Sequence, residues 1–190
     1  RNAQEFVAYA KAHSGKLSYG QGGNGSNPHL AALSLVRSLG IEAVEAAYKG
    51  NAPTAMAVAS GEVDFAILEY TVVRPLVEAG KVRLLAVTEP RRSALLPALP
   101  TGSEQGLTRS IEGMTPWFML LAPAGTPAAV VEHLNREVKD ALKNPEVQKT
   151  LLAAGVEATA SSSAEALAYF QQQREQVTRL AREMHISFKN

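Results

Sequence analysis

The sequence has no cysteine, so disulfides, thiolate nucleophiles and cysteine-ligated metals are excluded, while the redox compartment is left open. Long apolar runs are missing too. No stretch approaches the roughly 20 consecutive apolar residues that a membrane-spanning helix needs. Charge of one sign is nowhere concentrated: 19 Lys and Arg face 18 Asp and Glu, for a net charge of +1. The only local basic pair is Arg91-Arg92. Nucleic-acid binding draws its affinity from clustered Lys and Arg and is therefore not expected. The opening residues Arg1-Asn2-Ala3-Gln4-Glu5 lack the apolar core of a secretion signal. Signals are cleaved from mature proteins, so export stays open.

Catalytic constellations are equally scarce. His13, His133 and His185 fall in helical stretches, and no two histidines have the H-E-x-x-H spacing of a zinc site. There is no G-x-S-x-G nucleophile elbow, and no P-loop lysine follows a glycine run. No catalytic residue, metal ligand or cofactor is assigned on these grounds, and a binding role is favoured over turnover.

What is present is an ordinary globular composition, 46% hydrophobic and 19% charged, which argues against disorder. The first two-thirds alternates helices with short apolar strands. Helices are expected over 3–13, 28–39, 53–60 and 70–79, each closed by a glycine at or just after its end (Gly15, Gly40, Gly61, Gly80). Ser26 or Asn27 caps the second of these, with Pro28 at its first position. Strands are expected over 16–19, 41–48, 63–68 and 82–87, the last as a buried strand because it is almost continuously apolar. This rhythm predicts an α/β fold with a mostly parallel sheet and crossover helices.

An irregular, proline-rich connection (Pro90, Pro97, Pro100) leads to a further strand over 117–122. Thr126 is expected to cap a long helix begun by Pro127. Pro145 starts a shorter one, and the capping box Ser162-x-x-Glu165 opens a last helix reaching about His185. Leu167, Phe170, Val177, Leu180 and Met184 line that helix with more apolar surface than the α/β part need cover. The expected division is therefore a ligand-binding lobe over 1–116 and a strand with a helical tail over 117–190.

The richest stretch is Tyr19-Gly20-Gln21-Gly22-Gly23-Asn24-Gly25-Ser26-Asn27-Pro28-His29. Glycines let backbone approach a ligand, and a helix start offers unpaired N–H groups with a positive dipole end, so the turn can hold an anion without a charged side chain. The plain alternative is a strand-to-helix turn that uses glycine for its φ angles. The candidate ligand-binding residues are Tyr19, Gln21, Gly22, Gly23, Asn24, Gly25, Ser26 and His29. They are joined by Tyr48 in the next strand-end turn and by Glu69 and Tyr70 beyond the third strand, at the edge where open α/β sheets bind ligands. Gly20-x-Gly22-x-x-Gly25 also fits the dinucleotide fingerprint, but the acid that should end the next strand is replaced by Tyr48-Lys49, and Glu42 and Glu45 stand too early. A nucleotide- or phosphoester-using enzyme remains as the alternative reading.

An ordered set of motifs resembles a known family. It runs from Leu17-Ser18-Tyr19-Gly20 and Gly23-x-Gly25-Ser26-x-x-His29-Leu30 through Tyr48-Lys49-Gly50 and Gly61-Glu62-Val63-Asp64. It continues with Ala79-Gly80-Lys81-Val82-Arg83, Leu85-Ala86-Val87-Thr88, Arg92-Ser93, Leu99-Pro100-Thr101 and Trp117-Phe118. Leu121-Ala122-Pro123-Ala124-Gly125-Thr126-Pro127 and Leu134-Asn135 complete it. The chain resembles the Bug-type receptors, the extracytoplasmic solute receptors of tripartite tricarboxylate transporters. The resemblance implies a type II periplasmic-binding-protein fold with two lobes closing on a small carboxylate-bearing molecule. It implies a periplasmic location and delivery to membrane permease subunits, with a signalling partner as a variant of that role. Family members carry about a hundred further residues upstream, a domain-sized increment. The chain thus reads as the second lobe and tail, whose helices would pack on a first lobe, or on a second copy in a dimer. Gln21 replaces the family's usual small hydroxyl residue, and Ala47 its frequent proline. Glu69 stands where an aspartate or small polar residue is common.

Overall fold

A computed structural model describes residues 2–107, 111–114 and 116–183. The chain divides into two compact units, Arg1–Pro116 with the segment from Leu180 onward, and Trp117–Arg179. The element order in the first is α1 (Ala3–Ala12), β1 (Leu17–Gln21), α2 (Asn27–Leu39), β2 (Ala43–Ala47), α3 (Asn51–Ser60), β3 (Phe65–Ala66) and α4 (Tyr70–Glu78).

The strands form one parallel sheet of order β2-β1-β3, as expected for βαβ crossovers. Tyr19 of β1 lies opposite Glu45 of β2 and Phe65 of β3. The third strand is much shorter than the expected 63–68. Its approach is instead pinned by Asp64, whose carboxylate accepts from Ser18 N at 2.8 Å and Ser18 Oγ at 3.0 Å. Asp64 N donates in turn to Ser18 O at 3.1 Å.

Local chemistry sets most of the helix ends. Asn2 caps α1 by accepting from Glu5 N at 2.8 Å. Ser26 caps α2, and Gly40 closes it in the left-handed region at φ 64°, a conformation that an L side chain resists. The core lies where α1 and α2 cover the sheet. Tyr19, Ala32, Leu35, Phe65 and Ile111 pack together with Phe6, Val36 and Leu39 around them. Phe6 meets Phe65 edge-on with ring centroids 5.1 Å apart. Leu30 is fully buried, and burying a side chain of that size contributes about 1.5–3 kcal/mol.

Three expectations are corrected. Residues 82–87 are not a buried strand: they are half-exposed or exposed, and among the described residues their one pairing is an isolated bridge from Val87 to Thr101. An apolar run becomes a strand only beside a partner, and here Thr101 supplies a single rung. Residues 117–122 form no strand for the same reason, and Phe118, Leu120 and Leu121 are 83%, 73% and 78% exposed. Thr126 does not cap the next helix, because its hydroxyl donates to Pro123 O at 2.8 Å.

The second unit holds α5 (Ala128–Leu142), α6 (Pro145–Ala153) and most of α7 (Ser163–Glu183). The capping box forms as the sequence predicts: Glu165 accepts from Ser162 N at 2.8 Å, and Ser162 Oγ accepts from Glu165 N at 3.2 Å. Trp117 meets Tyr169 and Phe170 edge-on. Neither α5 nor α6 has a buried residue, and Val130, Leu134, Leu167 and Phe170 are exposed. Leu180, expected on that exposed face, is buried and belongs to the first unit. Met184 and His185 lie outside the described residues.

Candidate functional site

All three strands run parallel, so their carboxyl ends lie on one edge, and the turns that leave them are neighbours. These are 22–26 after β1, 48–50 after β2 and 67–69 after β3. Such an edge is where open α/β sheets present ligand sites, since helix starts and loop amides converge there. Tyr48 N donates to Gln21 O at 2.8 Å, which ties the first two turns together.

The glycines of the first turn have separate causes. A Cβ on Gly20 would stand 2.6 Å from Thr54 Cγ2, and one on Gly22 would stand 2.3 Å from Asn51 Oδ1 and 2.6 Å from the Gly50 carbonyl carbon. Gly25 has φ 73°. Gly23 alone has open space, with nothing nearer than Ser26 Cβ at 3.8 Å. Packing and backbone conformation thus account for three of these four glycines.

The polar side chains of the region converge on Glu45. Tyr19 Oη donates to Glu45 Oε2 at 2.6 Å, Gln21 Nε2 donates to Oε1 at 3.3 Å, and His29 Nε2 lies 3.3 Å from Oε2. Gly25 N donates to His29 Nδ1 at 2.9 Å, which places the ring proton on Nε2, facing the carboxylate. Gly23 N donates to Gln21 Oε1 at 2.7 Å. Burial by itself would push the Glu45 carboxyl up. The hydrogen bond from Tyr19, the His29 ring and the bond from Gln21 outweigh it and hold the carboxyl below its usual range. The Tyr19 phenol is pushed well up, first by burial and then by its bond to Glu45.

The structure therefore sorts the candidates. Gln21, Gly23, Gly25, Ser26 and His29 form one bonded cluster, with Ser26 Oγ accepting from His29 N at 3.4 Å. Tyr19 is 2% exposed and stacks on Phe65, so it is a core residue with a polar tip. Gly22 packs against the 50–51 turn, and Asn24 is exposed on the loop. Tyr48 turns its hydroxyl to Glu62 Oε1 at 2.8 Å. Glu69 accepts from Asn51 Nδ2, and the half-buried Tyr70 begins α4. Sequence reasoning missed Glu45 and Asn51 as members of this edge. The available signal for Glu45 was a lone acid inside an otherwise apolar strand, Ala-Val-Glu-Ala-Ala. Among the described residues no group of three or more His, Asp or Glu is arranged to hold a metal ion.

The model of the tripartite tricarboxylate transporter family receptor matches residues 1–186. The chain belongs to that family. A relative from Pseudomonas sp. strain P51, the UPF0065 protein in the tcbD-tcbE intergenic region, is 34% identical over 168 residues, covering 88% of this chain and 49% of its own length. Two solved structures share the periplasmic-binding-protein fold. Rpa4515 of R. palustris with adipate is 30% identical with a TM-score of 0.80, covering 98% of this chain and 62% of its own. MatC (Rpa3494) of Rhodopseudomonas palustris with bound malate is 25% identical with a TM-score of 0.67, covering 95% of this chain and 60% of its own. The chain thus spans about half the length of the Pseudomonas relative.

Proposed function

We propose that the chain forms a lobe of a periplasmic solute-binding receptor. It captures a small carboxylate-bearing molecule at the carboxyl edge of its sheet and delivers it to membrane permease subunits without chemical change. The observation that carries this reading is the convergence of three strand-end turns on that edge in a chain of this receptor family. Adipate and malate in the two similar structures make dicarboxylates of four to six carbons the first ligands to try. Residues 20–29 contribute backbone approach and a helix start, and Tyr48, Glu69 and Tyr70 form the rest of the rim. Glu69 adds an acid at that rim, which favours a ligand carrying a hydroxyl or amino group beside its carboxylate. The exposed apolar faces of α5 and α7 are covered in the whole receptor by the other lobe of the family fold, or in the 190-residue chain by a second copy.

No observation favours the nucleotide-using alternative. Glu45 sits in the middle of β2 and is engaged by three side chains of the protein itself. Native mass spectrometry of the intact receptor, purified without added ligand, tests the reading. A retained organic acid, or a thermal upshift with malate or adipate, is expected. Retained nucleotide overturns it.

A further inference from the structure

Two amides of the glycine turn are bonded to side chains that are themselves held by one carboxylate. Gln21 is 5% exposed and His29 3%, so neither is free to re-orient at the surface. Each has two polar ends. Gln21 gives Nε2 to Glu45 Oε1 and takes Gly23 N–H on Oε1. His29 faces Glu45 Oε2 with Nε2 and takes Gly25 N–H on Nδ1. An ionised carboxylate only accepts, so Glu45 dictates which end of each side chain turns away from it. In both cases the end turned away is an acceptor, and in both cases it meets a loop N–H.

We propose that Glu45 is the positioning residue of the glycine turn: acting through Gln21 and His29, it fixes the Gly23 and Gly25 amides and thereby the shape in which residues 22–26 meet a ligand. What the turn is shaped for rests on the receptor reading above, whereas the relay itself rests on the hydrogen bonds alone.

Two substitutions in the intact receptor separate this from a general structural role, read by amide hydrogen exchange. Glu45→Ala removes both acceptor oxygens, so Gly23 and Gly25 amides should both exchange faster. About three- to tenfold is expected, the factor that one neutral hydrogen bond of modest net strength represents. Glu45→Gln keeps the volume and one acceptor oxygen. With that oxygen kept by Tyr19 and His29, its new NH2 group faces Gln21 and forces the Gln21 amide to flip. Gly23 should then lose its acceptor while Gly25 keeps His29. The amide of Tyr48, bonded to the Gln21 carbonyl, should stay protected in both variants.

A selective Gly23 effect in Glu45→Gln, with both amides affected in Glu45→Ala, supports the relay. Unchanged amides, or equal loss of protection across Tyr48, Gly23 and Gly25, overturns it. Calorimetry with malate and adipate on the same proteins reads the functional reading separately. Weaker binding in Glu45→Ala joins the relay to ligand capture, and no binding of either acid by the unaltered receptor counts against the dicarboxylate assignment while the exchange result decides the relay.

Discussion

Replacing Gly22 with alanine is the sharpest test of how the site edge is built. The added Cβ would stand 2.3 Å from Asn51 Oδ1, 2.6 Å from the Gly50 carbonyl carbon and 2.7 Å from Asn51 N. Two of these are backbone atoms at the start of α3, so no side-chain rotation relieves the overlap. Reaching ordinary contact requires the 22–26 and 48–51 turns to part by about 1 Å. That displacement strains the Tyr48 N to Gln21 O bond of 2.8 Å. Overpacking a tight contact costs about 1–3 kcal/mol, and the upper end is expected here because rigid backbone opposes rigid backbone. Gly23→Ala is the control. Its Cβ meets nothing nearer than 3.8 Å, so a change within about 0.5 kcal/mol is expected. Urea unfolding of the protein followed by circular dichroism measures both, with the slope unchanged if only stability moves. If Gly22→Ala behaves like wild type, or Gly23→Ala costs as much as Gly22→Ala, the close approach of the two turns is not what selects glycine here.

Gly25 has φ 73°, so Gly25→Val should strain the turn by about 1–2 kcal/mol and weaken malate or adipate binding in calorimetry; full affinity would remove this turn from the site. Ser162→Ala removes the capping box of α7 and should cost about 1 kcal/mol, with faster amide exchange in the first turn of that helix. Glu45 has its folded pKa depressed, so its contribution to stability is present above its ordinary value near 4.5 and is lost as the pH falls through the folded value. The acid limb of the stability profile should therefore flatten in Glu45→Gln. Tyr19 has its folded pKa raised, so its contribution is present below its ordinary value near 10 and lost as the pH rises beyond it; Tyr19→Phe should flatten the alkaline limb.

Much of the helical framework was legible because its signals are local. Ser26 before Pro28, Gly40 after Leu39 and the Ser162-Glu165 box are short-range capping chemistry, and each stands where the sequence placed it. The strand failures are non-local. Residues 82–87 and 117–122 read as strands by composition, but a strand exists only with a hydrogen-bonded neighbour, and composition does not name one. The same limit hid Glu45. Its role depends on lying opposite Tyr19 in the sheet register, which places a mid-strand acid beside a phenol, an imidazole and an amide drawn from other elements. Counting glycines does not separate causes: at Gly20 and Gly22 the protein's own packing already requires glycine.

The strand order also bears on how the chain comes to be folded. β1 is the centre of the sheet yet precedes both of its neighbours in the chain. The Tyr19 to Glu45 contact closes 26 residues, and the Ser18 to Asp64 contact closes 46. At about 5–20 residues per second, the central strand waits a few seconds with both edges bare. A bare apolar strand in that interval is a template for pairing with another chain. The strand that must wait is five residues long and reads Leu-Ser-Tyr-Gly-Gln, too short and too polar to template well.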